Sequence, residues 1–206
     1  MEFNLDLTES KVLHVKQIRE IAEWFGIETR NKYSIQDDRG LQIGYAAEQQ
    51  KGFFGFLFRQ FFGHWRSFDV HFFSRERELV LIGHHPFRWI FQRIELTDAQ
   101  GSRMGAIQSR FAILSKKFDV ENEHGQVILE VQSPIWRIWT FPFSKNGRRV
   151  AEVQKRWSGI LSEAFTDRDN FRIEYFDPTL DAKERFLILV SAVFVDLIYF
   201  ERKAGD

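Results

Sequence analysis

The sequence predicts a mainly β protein, a closed antiparallel β-barrel wrapped around a central apolar C-terminal helix, with an amphipathic helix at the N-terminus. Three observations predict it. The run over residues 186–200, FLILVSAVFVDLIYF, shows no polar face at any helical spacing, so a helix built from it must be buried all round. From Tyr33 onward the chain falls into short alternating runs divided by turn residues, the pattern of many short strands. Residues 9–25 place Val12, Val15, Ile18, Ile21, Ala22 and Phe25 at three- and four-residue spacing among Lys11, Lys16, Arg19, Glu20 and Glu23, an amphipathic helical pattern closed by Gly26, with a strand beginning at Val12 to Val15 as the alternative.

The apolar run could be buried in lipid or in protein, and its length favours protein. At about 1.5 Å per residue it reaches roughly 22 Å, short of the ~30 Å hydrocarbon core of a bilayer. Asp196 within it argues the same way, because a carboxylate near the bilayer centre costs about 2.5–3.5 kcal/mol on insertion scales. Asp181 with Glu184 three residues later, after Pro178, marks the helix start as a capping box, and Arg202, Lys203 and Gly205 mark its end. Phe186, Val190, Phe194 and Asp196 are the expected structural core of this helix.

Four turn sequences divide the strands. They are residues 37–40 (DDRG), 97–101 (TDAQG), 121–125 (ENEHG) and 144–147 (SKNG), each between apolar alternating runs, and each signals a hairpin. Their unequal spacing argues for one meander rather than a solenoid. Curling that meander around the apolar helix buries the helix and removes exposed strand edges together. The expected organisation is residues 1–27 as an amphipathic segment packed on a barrel domain of residues 28–206.

Composition bounds the function. The 29 basic and 29 acidic residues balance, so no global charge draws the chain to nucleic acid or to a polyanionic membrane, and any electrostatic attraction must be local. With no cysteine, disulfides, thiolate chemistry, S-acylation and Cys-ligated zinc are excluded. The opening residues MEFNLDL carry neither a basic region nor a long apolar segment, so a cytoplasmic protein is expected, attached if at all to the cytoplasmic membrane face. No catalytic constellation emerges: Ser158 lacks the first glycine of a nucleophile elbow, and no glycine-rich phosphate loop occurs. His84 and His85 form the one close histidine pair and read as a solvated loop pair, since neighbours on a strand would point to opposite faces.

Three stretches concentrate aromatic and basic residues: 51–68, 84–93 and 134–143. Prolines at the edges of the last two favour loops or edge strands there. In the first, no acid occurs between Glu48 and Asp69. As a helix it gathers Phe54, Leu57, Phe58, Phe61, Phe62 and Trp65 on one side and Arg59, Gln60, Gly63 and His64 toward the other, with Phe56 on the polar side. Lys51, Arg59 and Arg66 add positive charge, and the whole is an interfacial, membrane-docking pattern. The same rings could instead pack under the barrel or plug its mouth, because Gly52, Gly55 and Gly63 weaken an isolated helix by about 1 kcal/mol each.

Residues 154–171, QKRWSGILSEAFTDRDNF, resemble the phospholipid scramblase family. ETRNKY at 28–33, YAAE at 45–48 and LDAK at 180–183 before the apolar run support the resemblance, which spans residues 28–201. It implies a twelve-stranded barrel around a C-terminal helix, as in the tubby C-terminal and LURP-one-related proteins. It also implies calcium-dependent movement of phospholipids between leaflets, with a phospholipid membrane surface as partner. The family's calcium segment falls on Asp167, Asp169 and Phe171, while its last carboxylate falls on Pro178, leaving Asp177 or Asp181 to substitute. Calcium accepts six to eight oxygens and tolerates weak sites, but Arg172 stands where a calcium loop has its glycine, so a polar turn satisfying backbone amides explains the same carboxylates. Animal members carry a proline-rich extension and acylated cysteine-rich loops; here aromatic residues stand in those loops. Two functions fit: a peripheral scramblase, or a soluble lipid- or protein-binding module of the same fold without transport.

Overall fold

The computed structural model describes residues 7, 9–18, 29–49, 67–88, 90–137, 139–156 and 170–200. Twelve strands follow one another: β1 (Val12–Ile18), β2 (Thr29–Gln36), β3 (Gln42–Gln49), β4 (Phe68–Ser74), β5 (Leu79–His85), β6 (Arg93–Asp98), β7 (Arg103–Arg110), β8 (Ser115–Asn122), β9 (Val127–Pro134), β10 (Thr140–Lys145), β11 (Arg148–Arg156) and β12 (Asn170–Tyr175). The central helix (Ala182–Val195) and a π-helical turn (Asp196–Phe200) come last. Each strand pairs antiparallel with its sequence neighbour, and β1 pairs with β12 to close the barrel.

An up-and-down order sorts the connections onto two ends. Tight hairpins of the even-to-odd connections gather at one, the turn end. The odd-to-even strand junctions face the other, the loop end. The chain leaves β12 at the turn end, so the helix runs up the barrel axis toward the loop end.

The four turns read from sequence are all hairpins, and three share one construction. Asp37, Asp98 and Asn122 each accept two backbone N–H bonds through Oδ1, from residues two and four further on, with Gly40, Gly101 or Gly125 at positive φ one residue earlier than the second donor. This is the Asx-turn chemistry those residue types favour. In the fourth turn Asn146 and Gly147 both take positive φ, as a two-residue hairpin requires.

Inside, the helix meets side chains from every quarter of the wall. Ile188, Leu189, Val190 and Val195 have no or almost no solvent exposure, Phe186 meets Phe72 edge-on at 5.8 Å between ring centroids, and Phe194 meets Phe118 at 6.1 Å. The capping box forms as expected: Glu184 N donates to the Asp181 carboxylate at 2.7 Å, and Asp181 N donates to Glu184 Oε2 at 3.2 Å. The buried Arg185 donates to the carbonyls of Leu7, Ser10 and Leu180, tying the segment before β1 to the helix. Its own carbonyl accepts from the Tyr175 hydroxyl at 2.9 Å, and burial holds that phenol well above its ordinary pKa, so it stays a donor.

Two expectations need correction. Val12–Ile18 is a strand, not part of a helix; Leu13 and Val15 point inward with period two, and the barrel closes only through this segment, so it starts before residue 28. Residues 19–25 of that expected helix lie outside the described residues. His84 and His85 are not a solvated loop pair but consecutive residues of β5. His85 is fully buried, stacked on Phe68 at 4.5 Å, while His84 faces out against Asp69 at 2.5 Å.

Where β7 crosses β8, a Cβ on Gly105 would collide with the backbone carbonyl of Glu121, which cannot move without breaking the strand pairing. A Cβ on Gly83 meets side chains rather than backbone, Ile94 Cδ1 at 2.7 Å and Cγ1 at 3.2 Å and Leu96 Cδ2 at 3.4 Å. Gly105→Ala is therefore expected to lose about 2–3 kcal/mol, or roughly 4–12 °C in thermal midpoint, with Gly83→Ala losing less. Calorimetry of the two variants checks it; equal losses contradict the assigned β7–β8 register.

Candidate functional site

The apolar core ends before the loop end is reached, and a layer of buried polar groups lies above it. Strand parity places them: along β2, Asn31, Tyr33 and Ile35 face inward, along β3 Glu48 follows Ala46, and along β11 Lys155 follows Ala151 and Val153. Gln17 Nε2 donates to Asn31 Oδ1 at 3.1 Å, and Asn31 Nδ2 donates to Glu48 Oε2 at 2.6 Å. At the end of the helix, the Asp196 carboxylate accepts from the Tyr33 hydroxyl at 2.8 Å and from the Lys155 ammonium at 3.3 Å. Phe171 and Trp139 flank that ammonium, at 5.5 and 5.9 Å from their ring centroids. Asp196 is wholly buried. It begins the π-helical turn, an irregularity that often marks functional or strained positions.

Above this layer the described loop-end connections present apolar side chains. Eight of the eleven large apolar side chains exposed among the described residues lie in these connections: Phe87, Ile90 and Phe91 after β5, Phe111, Ile113 and Leu114 after β7, Ile135 and Trp136 after β9. The connections are stitched to the wall and to each other. Ser109 N donates to the Gln92 carbonyl at 2.8 Å and Gln108 Nε2 to the Phe91 carbonyl at 3.2 Å, while Ile135 N donates to the Leu114 carbonyl at 3.2 Å.

The sequence-derived site residues separate accordingly. Phe186, Val190, Phe194 and Asp196 are buried on the central helix and its π-helical turn. Of the calcium set, Phe171 is buried near the loop end of β12, whereas Asp177 follows β12 at the turn end, so the structure does not bring them together. Asp177 Oδ1 accepts from Thr179 N and Oγ1 at 2.9 and 2.7 Å, and these bonds hold its carboxyl below the usual pKa. Asp167 and Asp169 lie outside the described residues, as do Phe54, Phe58, Arg59, Phe61, Phe62, Trp65 and Arg66. Among the described residues no three histidines or carboxylates group to hold a metal ion. On the outer wall, burial keeps His71 below the ordinary histidine pKa, with Asp69 opposing. Sequence reasoning missed Lys155, Glu48 and Asn31; the available signal was parity, since each shares its strand's apolar alternation yet is polar.

Fold and site together define a helix-filled antiparallel barrel with a polar layer and an apolar rim at one end. The chain belongs to the scramblase family, whose model, described as Scramblase, matches residues 4–202. It is 27% identical to "Phospholipid scramblase 1" of Rattus norvegicus over 210 residues, covering 95% of this chain and 61% of that protein. It is 26% identical to "Phospholipid scramblase 2" of Bos taurus, covering 97% of this chain and 72% of that protein. To "Altered inheritance rate of mitochondria protein 25" of Saccharomyces cerevisiae it is 23% identical, covering 95% of this chain and 72% of that protein. The chain thus spans about three fifths of the length of the rat relative (61%). An X-ray structure of a protein from Arabidopsis thaliana superposes with a TM-score of 0.49 at 12% identity, covering 91% of this chain and 93% of that chain.

Lys155 and Asp196, with side chains 5% and 0% exposed, are two charges in a place that excludes water. Removing one leaves the other uncompensated, a loss of about 3–5 kcal/mol. Lys155→Met and Asp196→Leu are each expected to lose that much in urea unfolding. The double variant should recover most of it, because an apolar pair of similar volume restores balance. Additive losses would show that the two side chains do not interact.

Proposed function

We propose that this protein associates peripherally with membranes and moves phospholipids between leaflets. The observation that carries the reading is family membership over nearly the whole chain, together with relatives named as phospholipid scramblases. No covalent step is part of it; the work is the transfer of a headgroup past a hydrocarbon layer. Calcium enters as a weak cofactor on Asp167 and Asp169. Asp177, whose Oδ1 is already held by Thr179, contributes less.

A second reading is favoured by one specific observation. The central helix fills the barrel, so no lipid path runs through the lumen, and a soluble module that binds lipid or protein without transport fits the same fold. Among the described residues no helix is long and apolar enough to cross a membrane.

A dye-reduction assay on liposomes separates the two. Reconstituted protein is expected to expose inner-leaflet labelled phospholipid to an external reductant, faster with millimolar calcium. Binding to the liposomes without added exposure supports the module reading instead. For calcium, isothermal titration of the wild type should give weak heats that the Asp169→Ala variant loses, and flat titrations of both at millimolar calcium remove calcium from the proposal.

A further inference from the structure

The two barrel ends differ in chemistry. The tight connections of the turn end mix signs: Asp37, Asp38 and Arg39; Arg75, Glu76, Arg77 and Glu78; Glu123 and His124; Lys145 and Arg148. The three described loop-end connections, residues 86–92, 111–114 and 135–139, contain no carboxylate and carry Arg88 and Arg137, with Lys116 and Lys117 opening the strand between them; the carboxylates of the other odd-to-even connections, Glu20, Glu23, Glu28, Glu163, Asp167 and Asp169, lie outside the described residues. Exposed rings and aliphatic chains, cations and no acid are the composition that meets an anionic lipid surface: apolar groups enter the interface and cations remain at the phosphates.

The rim is also built rather than loose. Phe91 stands 43% exposed with φ of 57°, a left-handed conformation that is unfavourable for a bulky aromatic residue. Gln108 holds it there through its carbonyl, so the backbone carries strain to present a ring to solvent. Beside it, Phe111, Ile113, Leu114, Pro134 and Trp136 surround an open groove of about 600 Å³ with Lys117 at its edge.

We propose that the loop end is the docking face for an anionic phospholipid bilayer, with Phe111, Ile113, Leu114 and Trp136 entering the interface and Lys117 and Arg137 pairing with phosphates. The proposal rests on the membrane reading above and assigns it to one face. It sets the barrel axis across the membrane plane, with the buried Lys155–Asp196 pair just beneath the docked end.

The absence of cysteine makes the test clean. A polarity-sensitive dye on Ile113→Cys should shift to the blue on adding phosphatidylcholine vesicles containing phosphatidylserine, and the same dye on Leu41→Cys at the turn end should not. Phe111→Asp with Leu114→Asp should weaken vesicle sedimentation at least tenfold with a nearly unchanged thermal midpoint. Lys117→Glu with Arg137→Glu should remove the preference for phosphatidylserine over phosphatidylcholine alone. If the wild type sediments and all variants sediment equally, the membrane reading stands and this face is wrong. If the wild type ignores both vesicle types, both fail. If the dye on Ile113→Cys is already blue without vesicles, or the protein self-associates through this end, another part of this chain or a second copy covers the rim and the proposal is overturned.

Discussion

The structure depends on mutual burial between a helix with no polar face and a sheet with nowhere else to put its inner side chains. The helix and its π-helical turn comprise 14 and 5 residues, about 28 Å of axial rise at helical geometry. The strands run from 6 to 9 residues, roughly 20–30 Å. Tilted about 40° from the axis, strands of that length make a wall roughly 15–23 Å tall, so the helix and its turn reach from one end of the barrel to the other. Neither partner is tenable alone: the helix would expose apolar surface all round, and a hollow twelve-stranded barrel would leave its inward rings without contacts. Closure between β1 and β12 is the topological counterpart of this, because an open sheet could not surround the helix.

What was legible in the sequence follows from where local chemistry and global fold agree. The turns at Asp37, Asp98 and Asn122 were readable because each pairs an Asx side chain with a glycine at the left-handed position. The β4–β5 turn uses the same construction in disguise, with Ser74 Oγ accepting from Glu78 N at 3.2 Å and Arg77 at φ of 70° in the glycine's place. Serine signals a turn more weakly than Asp or Asn, and arginine at the left-handed position does not signal one at all. β1 was misread because Val12, Val15 and Ile18 satisfy helical spacing, while the pair that faces inward, Leu13 and Val15, is short. The density of β-branched residues there favours a strand, and only the need to close the barrel decides it.

The polar layer was less legible than the core. Asp196 stood out in an apolar run, but its partners Tyr33 and Lys155 come from strands 163 and 41 residues away in sequence. No local pattern reports such a meeting. Parity along β11 marks Lys155 as inward, and an inward lysine requires an anion, which narrows the search to buried carboxylates. The outer-wall ion pairs, such as Arg93 with Glu121 and Arg110 with Asp119, are likewise invisible locally, although both carboxylates are largely buried and so rely on those partners.

The filled lumen constrains any mechanism for moving phospholipids. A headgroup cannot pass along the barrel axis while Phe186, Val190 and Phe194 occupy it, and emptying the axis means unfolding the protein. Transfer under the proposed function must therefore proceed outside the barrel, with the protein changing the bilayer rather than conducting through itself. A face that inserts rings at the depth of the headgroups displaces lipid in one leaflet and thins the layer beneath, which lowers the barrier by an amount that grows with inserted area. Under that proposal a single barrel docked by one face would touch one leaflet, so its effect would scale with surface density.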